Sequence, residues 1–420
     1  MRIAIHTLGT RGDVQPFVAL ALGLMDRGHR VQLAAPEQFQ AMAEGRGVRF
    51  APLPGEFLEL MDTPEGKAAI AGGEGFSAGF KLLKHVRPLM RGLLDAEWAA
   101  AKAFDPDLII HHPKSIAVPH IGEALGRQTM LASPLPGFTP TAAFPTPMLP
   151  FASLGPLNRV SHALAIRGAD VLFGRLIANW RATSLGLAGR RSARSGAALY
   201  AYSPLVVPVP PDWGQDVLVS GYWFLDDEAW RPPADLQAFL SAGAPPVYIG
   251  FGSMPGLDPA HLAAVVLKAL EKTGKRGLLA TGGGALEVAN APCDVHVITS
   301  APHDWLMPRM SAAIHHGGAG TTGASLRAGK PTAICPFFGD QPFWGRRVAQ
   351  LGVGPPPLDR KSLSAEALAA AILAMEDDHM RRTAAGLGAE IRQEDGVATA
   401  VDFIETRARQ RGARSDGAQQ

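Results

Sequence analysis

The sequence predicts an α/β protein built from two open parallel sheets in tandem, each covered by helices on both faces. Three observations predict it. Short apolar runs, continuous rather than alternating, recur between helical patterns, as strands buried on both faces require. The alternation occurs twice, starting at "RIAIHT" and again at "PPVYIGFGS" (245–253). Each series opens with a strand and a glycine-bearing loop, "HTLGTRGD" and "GFGSM".

In the first series, "RIAIHT" leads to a helix opened by Pro16 and closed near Gly28, because proline suits a first helical turn and glycine follows a last one. "RVQLAA", a helical pattern over 37–45 and "GVRFAPL" come next. Between residues 76 and 104 a long helical pattern contains Pro88, which should kink or split it. Further strands are expected at "DLIIHH" (107–112), "QTMLAS" (128–133), "AALYAYS" (197–203) and "DVLVSG" (216–221). Residues 134–156, rich in Pro, Gly, Ser and Thr, read as a long surface loop, and "SPLVVPVPPDW" (203–213) as a stiff connection. The second series continues through "RGLLATGGG", "DVHVITS", "SAAIHH" and "PTAICPFF", then helical patterns from Ser362 to Arg409 and a polar tail. The expected division is an amino-terminal domain over 1–205, a linker over 206–222 and a second domain over 223–395. A carboxyl-terminal helix and tail over 396–420 then has the first domain within reach.

Composition narrows the function classes. The chain has 420 residues, 47% hydrophobic and 19% charged, which is enough for two cores and leaves little for disorder. Lys and Arg number 40 against 38 Asp and Glu, without the basic stripe of a nucleic-acid binder. Cys293 and Cys335 read as buried small hydrophobes in a reduced compartment. The strand at Met1 and the lack of any run of 18 apolar residues predict a soluble, cytoplasmic protein with no signal peptide.

The chemistry is expected in the cleft at the carboxyl ends of the strands. "HHGGAGTT" (315–322) joins a strand to a helix, where glycines allow close approach and free N–H groups attract an anion such as a diphosphate. His315 and His316 are adjacent on a strand and point to opposite faces, so they do not form a metal site, and no metal is expected. In "FFGDQPFWG", Asp340 and Gln341 offer acceptors and donors to a ligand rich in hydroxyls, although Asp340 is equally a helix cap. Asp13, in "GTRGDVQP", is a helix cap or a carboxylate that takes a proton from an incoming hydroxyl, late in the attack. Ser253 in "GFGSM" is a further phosphate donor, and "SAPHDW" (300–305) a place for a nucleobase, with Trp305 read as packing. Residues 80–94 form an amphipathic stretch that fits a plain surface helix, a membrane surface or an apolar acceptor site.

These motifs, with "DLIIHHPKS", "GFTPTAAFPTP", "SPLVVPVPPDW", "PPVYIGFGSM" and "APHDWL", run nearly end to end. On them the chain resembles the two-domain nucleotide-sugar glycosyltransferases of the GT-B fold, family 1, most of all the sterol 3-β-glucosyltransferases. The resemblance implies two Rossmann-like domains facing across a cleft and an inverting, metal-independent transferase. It implies transfer of a hexose, glucose in the sterol branch, from UDP-sugar to a hydroxyl of an apolar acceptor. UDP-sugar would be a co-substrate and no cofactor is needed. It places His316, Gly318, Gly320, Thr321, Thr322 and Ser253 at the donor diphosphate, and Asp340 and Gln341 at the donor sugar. Ser300, Ala301 and His303 fall near the nucleobase. Asp13 stands where many relatives have a histidine base, and Thr146 where "FPHP" has histidine. Three other readings stay open: a dTDP-rhamnose-type or other sugar transferase acting on a lipid, polyketide or flavonoid; a UDP-sugar epimerase; and a silent sugar-nucleotide binding protein. A peripheral membrane contact is compatible with an apolar acceptor, and the oligomeric state is not read from the sequence.

Overall fold

A computed structural model describes residues 1–56, 75–188, 195–252 and 258–417, with the side chains of 75–87, 169–170 and 411–417 left aside. The two predicted parallel sheets are present. In the first, β1 (Arg2–His6), β2 (Arg30–Pro36), β3 (Arg49–Leu53), β4 (Leu108–His111), β5 (Gln128–Ser133), β6 (Ala197–Tyr200) and β7 (Val217–Val219) lie in the order β3-β2-β1-β4-β5-β6-β7. In the second, β8 (Val247–Gly250), β9 (Gly277–Ala280), β10 (Val295–Ile298), β11 (Ala312–His315) and β12 (Thr332–Ile334) take the order β10-β9-β8-β11-β12. Every strand pair in both sheets is parallel.

Helices α1 (Arg11–Asp26), α2 (Gln40–Glu44), α3 (Gly75–Phe104), α4 (Val118–Leu125) and α5 (Asn158–Trp180) belong to the first sheet. Helices α6 (Ala234–Ser241), α7 (Pro259–Thr273), α8 (His303–Leu306), α9 (Ala319–Arg327), α10 (Gln341–Gln350), α11 (Ala365–Ala374) and α12 (Asp378–Ile391) belong to the second. The last helix, α13 (Gly396–Gly417), returns to the first domain. Its Ala400, Val401 and Ile404 join Val14, Phe17 and Leu24 in one core, and Arg27 meets Asp402 at 2.5 Å.

Several local expectations change. Helix α1 begins at Arg11, so Pro16 lies inside it; the Thr10 N–H, capped by the Asp13 carboxylate, starts the helix one turn early. Helix α3 runs through Pro88 as one element. On it, Met90, Leu93 and Leu94 are buried against the sheet, so that part of the 80–94 stretch is core. Strand β7 lies inside the segment read as a linker and closes the edge of the first sheet, so that sheet extends past residue 205.

Residues 134–156 reach the surface as expected over most of 148–156, but their first part is largely buried. Thr141 and Thr146 are buried, and two of the segment's backbone groups are met by α5: Asn158 Nδ2 donates to the Ala142 carbonyl at 2.9 Å and Ser161 Oγ accepts the Thr146 N–H at 2.9 Å. Cys335 is buried as expected, but Cys293 is exposed. No helix among the described residues is long and apolar enough to cross a membrane.

A shared apolar seam fixes the two sheets relative to one another. Tyr200, Tyr202, Val206 and Val207 of the first domain and connection pack with Ile334, Phe343, Trp344 and Val348 of the second. The Arg347 guanidinium adds two hydrogen bonds to the Val206 carbonyl, at 2.9 and 2.6 Å.

Candidate active site

Strand order locates the site before any side chain is considered. In the first sheet the chain proceeds outward from β1 through β2 to β3, then crosses back to place β4 on the other side of β1. The second sheet reverses in the same way between β8 and β11. Loops leaving such neighbouring strands diverge and open a crevice at their carboxyl ends. His6 is paired with His111 in one sheet, and Gly250 with His315 in the other, so the loops that follow these residues line the two crevices.

Asp13, the third residue of α1, fills the first crevice. Its Oδ2 accepts the Thr10 N–H at 2.8 Å, the Thr10 hydroxyl at 3.2 Å and the Lys114 ammonium at 2.8 Å. Gly9 makes room for this arrangement: it sits at φ +125°, and a Cβ there would come within 2.2 Å of Oδ2 and 2.7 Å of Lys114 Nζ. Across from Oδ1, at 3.3 Å, stands Nε2 of the buried His112. The Lys114 backbone N–H donates to His112 Nδ1 at 3.2 Å, which assigns the ring proton to Nε2. That N–H faces Oδ1 without the alignment of a hydrogen bond.

The charges follow from these contacts. Burial, with the Asp13 side chain only 16% exposed, pushes its pKa upward, but the Lys114 charge and the Lys114 and Thr10 hydrogen bonds outweigh it and hold it below 3.8. Asp13 is therefore ionised at neutral pH. Burial holds His112 down to about 3 despite the Asp13 charge, and His112 is neutral.

His316 stands at the second crevice, just past β11. Burial holds it down to about 4, against the pull of the Gly250 carbonyl, so it too is neutral. His315 is turned inward, its Nδ1 accepting the Gly317 N–H at 3.0 Å. The two rings are 6.1 Å apart and steeply inclined at 75°. Among the described residues no trio of His, Cys, Asp or Glu is placed to hold a metal ion.

Gly318 is the N-cap of α9, whose first turn has no side-chain cap. A Cβ on Gly318 would lie 2.7 Å from His316 Nε2, so glycine lets the ring occupy this position. Gly320 is exposed and Thr321 half-buried on the same open turn. Thr322, expected at the diphosphate, is instead fully buried, and its hydroxyl donates to the Gly318 carbonyl at 2.9 Å. The helical periodicity that exposes residue 321 turns residue 322 inward. Ser253 lies outside the described residues.

Asp340 occupies the N-cap position of α10 but does not cap it; Oδ2 accepts the Trp344 indole N–H at 2.7 Å. Burial raises its pKa, the Trp344 hydrogen bond opposes this, and the nearby Asp13 charge raises it further while Lys114 lowers it. The two carboxylates, one from each domain, thus sense each other across the cleft. Gln341 is buried, and its Oε1 closes the preceding turn by accepting the N–H groups of Phe337 at 2.7 Å and Phe338 at 3.2 Å.

Ser300 is exposed, and Ala301 and His303 are half-buried, between β10 and the first turn of α8. Burial holds His303 down to about 4, and the charge of Arg11 on α1 adds to the effect, so this region also faces the first domain. Trp305 is packing, as expected, against the Trp230 ring at 4.9 Å and under the Arg309 guanidinium at 4.1 Å.

Sequence reading overlooked His112 and Lys114. Their signal is positional: they follow β4, and only the adjacency of β4 to β1 brings them to Asp13. The assembled cleft offers an ionised carboxylate on one side. On the other it offers a neutral imidazole and an uncapped helix start; the carboxylate is able to take up a proton, and the imidazole and helix start to hold an anion.

The chain is similar to known proteins. Residues 3–144 match the family described as "Glycosyltransferase family 28 N-terminal domain", and residues 279–399 the "Erythromycin biosynthesis protein CIII-like, C-terminal domain". A sterol 3-beta-glucosyltransferase of Arabidopsis thaliana is 38% identical over 96% of this chain and 67% of its own length. One from Aspergillus fumigatus is 38% identical over 99% of this chain. The chain spans about two thirds of the plant relative and 31% of the fungal one. Among solved structures, the calicheamicin glycosyltransferase CalG4 superposes with a TM-score of 0.72 at 19% identity, covering 96% of this chain and 97% of that one. The spinosyn rhamnosyltransferase SpnG, complexed with thymidine diphosphate, gives 0.65 at 20% identity, covering 96% and 100%.

Proposed function

Because the chain belongs to the glycosyltransferase family that includes the sterol 3-beta-glucosyltransferases, we propose that it moves glucose from a UDP-sugar to a hydroxyl of an apolar, sterol-like acceptor, with inversion at the sugar. The observation that carries this reading is the ionised Asp13 of one domain facing Asp340 of the other, with His316 and the start of α9 on the donor side.

The acceptor lies on the first-domain side and its hydroxyl approaches Oδ1 of Asp13, the oxygen left outside the Thr10 and Lys114 contacts. It attacks the anomeric carbon from the face opposite the diphosphate. As the new bond forms the hydroxyl acidifies, and Asp13, a weak base in the ground state, takes its proton late. Such proton transfer supplies about 10²–10⁴ in rate.

Charge grows on the departing UDP as the glycosidic bond breaks. The N–H groups of the first turn of α9, the Thr321 hydroxyl and an imidazole N–H of His316 meet it, with Gly318 and Gly320 allowing close approach. A neutral imidazole acts there as a hydrogen-bond donor, and a bound diphosphate would draw its pKa upward. Asp340 accepts sugar hydroxyls. Gln341 contributes by fixing the turn that presents Asp340, and the nucleobase lies toward Ser300, Ala301 and His303. The reading needs neither metal nor cofactor, UDP-sugar being a co-substrate.

Incubation with UDP-glucose and a mixed sterol, phenolic and lipid library, read by mass spectrometry, tests it. The expected result is a hexose adduct on sterol-like hydroxyls. Sugar transfer only from a dTDP-sugar, or release of an altered sugar nucleotide without an acceptor, would contradict it.

A further inference from the structure

Helix α5 is held firmly along one side and bare along the other. On the held side His162 Nε2 meets the Phe144 carbonyl at 3.0 Å, and Trp180 Nε1 donates to Asp95 at 2.9 Å. Arg181, just past the helix, is buried and pairs with both carboxylate oxygens of Glu123, at 2.8 and 3.2 Å. On the bare side stand Leu157, immediately before the helix and 59% exposed, then Val160, Leu164 at 64% and Val171 at 83%. Their spacing of three, four and seven residues sets them in one stripe. Arg167 and Arg175, both exposed, fall on the same stripe, and neither has an ion pair among the described residues. The helix contains three arginines and a single acid, Asp170. Over about five turns the stripe is about 27 Å long.

The segment that precedes α5 also exposes apolar side chains. Phe151 and Met148 are exposed, and the Met148 methyl lies 4.0 Å from where a Cβ on Gly339 would stand, next to Asp340. Arg346 of the second domain fixes this edge through the Pro150 and Phe151 carbonyls, at 2.8 and 3.0 Å.

We infer that the exposed face of α5 lies on an anionic lipid bilayer, its apolar side chains entering the headgroup boundary and Arg167 and Arg175 meeting lipid phosphates. A row of apolar side chains facing water is costly to leave exposed, and the arginines interleaved with it complement anionic headgroups rather than a neutral apolar partner. The contact brings the cleft mouth beside a membrane-borne acceptor. That consequence rests on the apolar-acceptor reading; the docking itself does not.

Co-sedimentation of the full chain with vesicles, without donor or acceptor, tests the inference. The chain is expected to bind phosphatidylcholine vesicles containing phosphatidylglycerol and to bind pure phosphatidylcholine more weakly. Leu164→Ser with Val171→Ser should lower partition at least tenfold, and Arg167→Gln with Arg175→Gln should abolish the anionic preference and its salt sensitivity. Thermal unfolding of these surface variants should match the parent. Equal partition of parent and Leu164→Ser/Val171→Ser, or a parent that stays in the supernatant, would overturn it. So would light scattering that finds a dimer converted to monomer by that pair of substitutions. Transfer to a water-soluble acceptor is expected to be equal in parent and variants; loss of that activity in the parent would count against the transferase reading and not against docking.

Discussion

The ammonium of Lys114 donates to Oδ2 of Asp13 at 2.8 Å, joining the loop after β4 to the first turn of α1. This contact keeps the carboxylate charged in a largely buried position and fixes which oxygen it presents. Oδ2 is occupied by Lys114 and Thr10, so Oδ1 is the atom offered to the cleft, beside the N–H of His112.

Replacing Lys114 by Met removes the largest of the contributions that together outweigh burial. The Asp13 pKa should then rise, and the acid limb of kcat/KM should move to higher pH by the same amount. Because Asp13 works unprotonated, the variant loses activity as pH falls through that raised value and recovers at pH 7.5. A profile parallel to the parent's would show that Lys114 does not set the charge of Asp13.

His316→Ala should weaken UDP binding by about ten- to a hundredfold, the worth of one hydrogen bond to a charged group. Gly318→Ala should act in the same direction, since its Cβ would meet His316 Nε2 at 2.7 Å and displace the ring. Titration calorimetry with UDP reads both. Unchanged affinity in His316→Ala would remove it from the diphosphate site.

The neighbouring threonines should part company. Thr321→Ala should lower UDP affinity and leave stability alone. Thr322→Val, which deletes the bond to the Gly318 carbonyl, should cost about 0.5–1.5 kcal/mol of stability with a smaller effect on UDP. Denaturant unfolding alongside calorimetry separates the two.

Acid should destabilise the fold well above the carboxylate range. His111 and His112 are buried and neutral, held down to about 4 and about 3 from 6.5. Their folded pKa values lie below the unfolded one, so the unfolded chain binds protons first. Stability is full above about pH 6.5 and falls as pH drops toward 4, by up to about 1.4 kcal/mol per pH unit for each group. Urea unfolding between pH 7.5 and 4.5 checks the slope, which should be shallower in His111→Gln.

Much of this was legible in the sequence, and the parts that were not share a cause. The two sheets were readable because strands buried on both faces leave continuous apolar runs, as in "DLIIHH" and "AALYAYS". The separation of His315 from His316 followed from the alternation of strand side chains. Thr322 was misplaced because "GTT" does not reveal which hydroxyl the helix turns inward. The partners of Asp13 were missed because His112 and Lys114 lie about a hundred residues away, and strand order alone unites them. In the loop 134–156 composition indicates the exposed second part but not the buried first part, where Asn158 and Ser161 of α5 meet the Ala142 carbonyl and the Thr146 N–H.

The central claim is that Asp13 takes the acceptor's proton, and Asp13→Asn tests it most directly. Asparagine keeps an oxygen for Thr10 and Lys114 but is far too weak a base. Single-turnover transfer from UDP-glucose should fall by at least about a hundredfold, while UDP-glucose affinity by calorimetry remains within about twofold of the parent. Transfer at the parent rate with intact donor binding would contradict the account.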